Sequence, residues 1–155
     1  MRPTSRHRIF ADYFQIFVCD PDFTSSEVAL WNEQTGRDRL VALPHTLSFM
    51  TGRNMSVPVD FFQHDGEPDL TARIALADHA VIAGLTSETG RIEVSGCTGH
   101  DPFDFFVQSG PVGVSFLSFD LASIDDLEGD DRYELHVWPA THVAPPVVLK
   151  CAAQR

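Results

Sequence analysis

The feature that most constrains this chain is a succession of short apolar and aromatic runs, each closed by turn chemistry and almost none separated by a helical pattern. From Phe10 to Cys19 the row FADYFQIFVC places Phe14, Ile16 and Val18 on one face and Tyr13, Phe17 and Cys19 on the other, the period of two that a strand requires. Both faces are largely apolar, which predicts a central strand. Asp20-Pro21-Asp22 then ends it, because proline removes a ladder donor and short acids favour turns. Further strands are predicted over 43–50, 55–62, 73–82, 91–95, 103–108, 112–119, 133–138 and 143–149. They are parted by Thr51-Gly52-Arg53-Asn54, His64 through Pro68, Ser87-Glu88-Thr89-Gly90, Ser109-Gly110-Pro111 and Asp125 through Asp131. The one helical candidate is Thr24 to Thr35, with Ser25 or Ser26 as cap and Val28 and Trp31 on a shared face. This spacing predicts an all-β fold, an antiparallel β-sandwich or flattened barrel of about eight or nine strands with at most one short helix.

Alternation also predicts an inner face. Ile92 and Val94 should point inward between Arg91, Glu93 and Ser95; Tyr133, Leu135 and Val137 form a second inward set, which leaves His136 facing solvent. With 155 residues, 43% of them hydrophobic and 12 of them Phe, one core can be built without staples. The expected organisation is a flexible basic arm over 1–9, a single β-sandwich domain over 10–150 and a tail over 151–155, with no internal repeat.

Chemical templates fail in turn. No GxGxxG or GxxxxGK[ST] is present, and no GxSxG. Cys97 and His100 are the nearest approach to a nucleophile and base, or to half a zinc site, but nearby acids disfavour a thiolate and no second ligand pair follows. Loop acids Asp20, Asp22, Asp101, Asp104 and the run at 124–131 offer hard oxygens for calcium, without the order of an EF-hand loop. Paired carboxylates for glycoside hydrolysis are abundant, and nothing selects one pair. No cofactor and no catalytic residue is expected. The alternative is a calcium- or carbohydrate-binding β-sandwich module in which Trp31, Trp138 and Tyr13 supply stacking surfaces.

The acidic balance fits plain solubility and a solvated loop as well as it fits a macromolecular partner. The net charge is −11, and Arg2, Arg6 and Arg8 at the start leave the remainder three charges more acidic still. Such a body repels nucleic acid and anionic lipid and attracts a basic protein. Three cysteines without a CxxC pair fit a reducing compartment. The N-terminal row lacks the apolar run of a signal peptide, and no stretch approaches a membrane span, so the expected location is the cytoplasm. A single Lys among eleven basic residues is the usage of a GC-rich bacterial genome. The densest charge lies between Asp120 and Glu134, where Asp120, Asp125, Asp126, Glu128, Asp130, Asp131 and Glu134 are opposed only by Arg132. Displayed on a loop, these seven carboxylates would stand where a nuclease expects phosphates.

The order of segments carries a resemblance. Asp12-Tyr13-Phe14-Gln15-Ile16-Phe17-Val18, then Trp31, then Thr46-Leu47-Ser48-Phe49 and Val57-Pro58-Val59-Asp60-Phe61 are similar to the pattern of the competence protein J family of bacterial DNA-entry nuclease inhibitors. Gly90 through Ser95 and Asp131-Arg132-Tyr133-Glu134-Leu135 continue it, so that it spans residue 10 to about 138. The resemblance implies a small β-rich protein that binds and inhibits a partner nuclease, or a descendant serving as immunity protein for a nuclease toxin. Pro139, Pro145-Pro146 and the insertion-like HDGEPD at 64–69 depart from the pattern. The family supplies no inhibitory residues, so the seven acids are assigned to partner binding on electrostatic grounds alone.

Overall fold

A computed structural model describes residues 1–152; the expected tail over 151–155 lies mostly outside the described residues. Among the described residues eleven strands form two packed sheets: β1 (Ser5–Phe10), β2 (Gln15–Cys19), β3 (Leu40–Ala42), β4 (Thr46–Met50), β5 (Ser56–Gln63), β6 (His79–Ser87), β7 (Arg91–Gly96), β8 (Phe103–Phe106), β9 (Gly110–Phe119), β10 (Arg132–Pro139) and β11 (Val147–Lys150). One sheet has the order β1-β5-β10-β9-β6-β11 and the other β3-β4-β2-β7-β8. The all-β sandwich expected from the turn spacing is therefore the fold observed. Among the described residues every strand pairing is antiparallel except β5 with β10, which run parallel with Val59 opposite Tyr133.

The core lies between the sheets and follows the period-two pattern closely. Ile16 and Val18 of the central strand β2, Leu47 and Phe49 of β4 and Ile92 and Val94 of β7 meet Val59 and Phe61, Tyr133, Leu135 and Val137, and Val114 and Phe116 from the opposing sheet. Phe49 stacks on Phe116 across the interface with ring centroids 4.6 Å apart. Offset aromatic packing of this kind adds to the simple gain from burial.

The outer face of the six-stranded sheet is covered too, and here the expectations need correcting. Residues 73–82 do not form one strand. Asp69 accepts hydrogen bonds from the Thr71 N–H and hydroxyl, starting the short helix α2 (Thr71–Leu76), and β6 begins only at His79. Ile74, Leu70 and Ala77 then pack on Ala80, Leu117 and Phe119. His136, expected in solvent, is fully buried: it does leave the core on the outer side of β10, but Phe62 stacks on it at 4.3 Å and His64 at 5.2 Å. The helix expected at 24–35 is displaced as well. The helix α1 here (Glu33–Asp38) is capped by Asn32, whose side chain accepts from the Thr35 N–H, while Val28 is exposed and Trp31 donates its indole N–H to Gln15.

Residues 5–9, expected in a flexible basic arm, belong to β1 and pair along their length with β5. Alternation explains the charge: Ile9 is buried and His7 stacks on Phe103, leaving Arg6 and Arg8 on the solvent side. Cationic side chains on an edge strand discourage pairing with a further chain.

The 24–31 segment is held by a carboxylate and imidazole clamp. Glu27 accepts from both the His45 backbone N–H at 2.9 Å and its Nδ1–H at 2.6 Å, and Glu88 faces Nε2 at 3.3 Å. The hydrogen bond to Glu27 holds the His45 pKa above its ordinary value, with Glu88 assisting and burial opposing. A raised pKa in the folded state means stabilisation that is complete below the ordinary histidine value of about 6.5 and lost as pH rises through the raised one. Glu27→Gln should lower the melting temperature most at acid pH, by about 1 kcal/mol of stability, with the difference from the parent protein shrinking above about pH 6.5. Thermal melts of both proteins across this range check it; a pH-independent difference would exclude the imidazolium contribution.

Candidate functional site

The connection from β9 to β10 carries the dense acids, and its local interactions decide which of them reach solvent. Asp120 opens it in the left-handed region (φ 58°), and Leu121–Ser123 form a single 3-10 turn, with Leu121 N–H donating to Asp78. The Ser123 hydroxyl donates to the Asp120 carbonyl and accepts from the Asp130 N–H, a local clasp of the type that competes well with regular structure. Asp125 and Glu128 exchange two backbone hydrogen bonds of 2.8 and 3.0 Å, turning the chain tightly with Asp126 also left-handed at φ 54°. The loop is thus built from fixed turns.

Its root is a buried polar network. Arg53 Nε donates to Asp131 Oδ1 at 2.6 Å, and Nη1 donates to the Leu127 carbonyl at 3.0 Å. The other carboxylate oxygen of Asp131 accepts from the Tyr133 hydroxyl at 2.6 Å, and that hydroxyl accepts from the Gly52 N–H at 2.8 Å. Burial, then the neighbouring carboxylate, pushes the Tyr133 phenol well above its ordinary range, so it serves as a permanent donor. The turn between β4 and β5 is thereby bolted to the acidic loop.

The seven acids assigned from the sequence accordingly separate into two groups. Asp120, Asp125, Asp126, Glu128 and Asp130 are exposed; Asp120 makes a 3.5 Å ion pair with Arg132 that is open to water on both sides. Asp131 and Glu134 are both 1% exposed and face internal partners. Glu134 binds Arg73 of α2, with one contact at 3.2 Å, and accepts from His136 Nε2–H at 3.0 Å. His136 Nδ1 in turn accepts from His64 Nε2–H at 2.9 Å. Burial alone would push the Glu134 carboxyl up, but His136 and Arg73 overcome it and hold its pKa below the ordinary value. Sequence alternation had no means of finding this, because Glu134 and His136 lie on the outer face under α2 and the residues leading to it.

The remaining candidates are dispersed. Cys97 and His100 are both exposed on the connection between β7 and β8, and among the described residues no hydrogen bond links them. Cys19 is the more perturbed thiol, pushed up to about 12 by burial and then by Glu93, Asp20 and Glu27, the opposite of an activated nucleophile. Asp20 is fully buried and accepts from Glu88 N–H, Thr89 N–H and the Thr89 hydroxyl, fastening the turn between β6 and β7. Asp104 pairs with Arg91. Among the described residues no three His, Cys, Asp or Glu side chains gather as a cation site. Trp138 is buried against Gly113, where an added Cβ would lie 2.2 Å from its ring, so of the three aromatics considered for stacking Tyr13 alone is strongly exposed, at 66%.

The displayed acids and the internally engaged ones imply opposite mutational behaviour. Asp131→Ala should cost about 3 kcal/mol, since it leaves Arg53 unpaired in the interior, and Glu134→Ala about 2 kcal/mol, since buried His136 loses its acceptor while Arg73 keeps access to water. Asp125→Asn and Asp126→Asn should stay within about 0.5 kcal/mol of the parent protein, asparagine tolerating the left-handed conformation at 126. Urea unfolding of the four variants checks this; equal costs in both groups would overturn the separation.

Comparison with known proteins places this geometry. No family model matches the chain, and no curated protein matches it. Among solved structures, the chain is similar to ComJ from Bacillus subtilis, an inhibitor of the DNA-degrading activity of NucA, with a TM-score of 0.69 at 16% identity over 90% of this chain and 98% of that one. It is also similar to the protein of crocagin biosynthetic gene J, with a TM-score of 0.55 at 14% identity over 87% of this chain and 96% of the other. The fold implied by the sequence resemblance is thus the fold observed, and this two-sheet sandwich is ComJ-like.

Proposed function

We propose that the protein is a non-enzymatic inhibitor that binds a nuclease, in the manner of a ComJ-type inhibitor or an immunity protein, and that its exposed loop acids meet the cationic surface on which the nuclease binds DNA. The observation that carries this reading is the fold shared with ComJ over nearly the whole of both chains. The electrostatics agree with it. Asp120, Asp125, Asp126, Glu128 and Asp130 are displayed on a loop whose root is fixed by Arg53 and Asp131, so a partner would not have to order it on binding. Carboxylates held at a sheet end stand in for phosphates, and their summed field speeds encounter with a basic surface over a Debye length of about 8 Å.

The test is inhibition of DNA cleavage by two nucleases, NucA and any nuclease encoded beside this protein's gene. Stoichiometric protein should slow cleavage by at least one of them at low ionic strength, with relief as salt is raised. Changing the five exposed acids together to Asn and Gln should reduce the association rate by about tenfold or more while leaving the melting temperature within a few degrees. Failure of the parent protein to slow either nuclease would falsify the inhibitor reading. Inhibition that survives the five substitutions would move the interface away from this loop.

A further inference from the structure

The connection between β1 and β2 was expected to be strand, and it is not. Tyr13 and Phe14 lie in consecutive left-handed conformations (φ 55° and 63°), outside the ladder that starts at Gln15. Residues with a Cβ avoid this region, and aromatic side chains have no local hydrogen bond to compensate them there. A connection selected only to turn would carry Gly or Asn. Nevertheless both aromatic rings are turned outward, Tyr13 66% and Phe14 43% exposed.

The conformation is imposed from all sides. Ala11 N–H donates to the Met55 carbonyl, Phe14 N–H to Ala11, and Thr51 N–H to the Phe14 carbonyl, while Tyr13 N–H donates to the Asn54 side chain at 3.0 Å. Close approach of the backbone behind them depends on Gly96, where an added Cβ would lie 1.9 Å from the Phe10 carbonyl. These rings are therefore held out on a rigid support. The turn that supports them, 51–54, is the same turn whose Arg53 grips Asp131 and the Leu127 carbonyl. Leu127, at the tip of the acidic loop, is itself 48% exposed. One turn thus presents two apolar projections, one flanked by Asp12 and the other by Asp126 and Glu128. A protein interface of standard size covers about 800 Å² per partner, on the order of 30 Å across, enough to include both.

We propose that Tyr13 and Phe14, with Leu127, are the apolar anchor of the partner-binding face, seated in a recess beside the cationic cleft of the nuclease. This rests on the inhibitor reading above and deepens it. Charge complementarity selects the occupant: exposed apolar groups bordered by carboxylates fit a basic surface with an apolar recess, and they do not fit a second copy of a chain with net charge −11. The two parts of the face have separate kinetic roles. Rim acids steer encounter and are screened by salt, whereas a buried rigid aromatic anchor slows dissociation and is insensitive to salt.

The backbone strain supplies a test in which folding and binding move in opposite directions. Tyr13→Gly removes the ring and also relieves the left-handed conformation, so its melting temperature should be unchanged or higher. Its dissociation rate from the nuclease inhibited in the assay above should rise at least tenfold, about 1.4 kcal/mol, and the change should persist at high salt. Tyr13→Phe should bind like the parent protein, and Phe14→Ala should dissociate faster. Binding of Tyr13→Gly with parental kinetics, while the parent protein inhibits, would overturn the anchor and leave the inhibitor reading intact. Absence of inhibition by the parent protein removes both. Sedimentation showing a parent dimer that Tyr13→Gly dissolves would assign the face to a second copy and overturn the proposal.

Discussion

A single buried guanidinium, that of Arg53, joins the turn between β4 and β5 to the connection between β9 and β10. The two segments are far apart in the chain, and each is too irregular to hold itself by ladder bonds. Asp131 accepts from Arg53 and from Tyr133, and Tyr133 in turn receives the Gly52 N–H, so charge, hydroxyl and backbone donor are all satisfied in a space closed to water. A buried ion pair of this kind adds little net stability relative to an apolar replacement, but it tolerates few alternative arrangements. In this protein it is the positional reference for the sandwich end where the exposed carboxylates, Tyr13 and Phe14 are all displayed.

Much of the two-sheet plan was legible in the sequence because burial between sheets leaves a period of two. Ile92 and Val94, and Tyr133, Leu135 and Val137, were assigned inward and are inward. The central position of β2 was legible from Ile16 and Val18. Alternation states which side of a strand a residue takes, however, and is silent on whether that side is covered. His136 and Glu134 were misread for that reason, since the six-stranded sheet has a second apolar cover made by α2. Local chemistry also outweighed pattern in two places. Asn32, rather than Ser25 or Ser26, had the carboxamide geometry to cap a helix, and the backbone bonds around Tyr13 and Phe14 overrode a row that reads as perfect strand.

The candidate site was half legible. Counting acids located the loop but could not distinguish a displayed carboxylate from one engaged inside. Asp130 and Asp131 are adjacent in sequence and opposite in fate, because Arg53 and Tyr133 draw the Asp131 carboxylate inside while Asp130 stays exposed. The positions of Arg53 and Arg73, which take Asp131 and Glu134 out of the surface charge, come from distant segments and leave no mark near the acids they bind.

The one parallel pairing among the described residues, β5 with β10, has a consequence for the order in which the chain can assemble. The N-terminal strand β1 rests on β5, and β5 gains its second neighbour only when β10 exists. The five-stranded sheet is complete in sequence by residue 106, but its apolar inner face has little to pack against until β9 and β10 have followed. Long-range pairing of this type is slow, because loop closure must precede the contacts that reward it. A nascent chain on the ribosome must therefore carry an open sheet edge and an uncovered hydrophobic face until β10 has emerged, which makes the closing of the sandwich a late, concerted event.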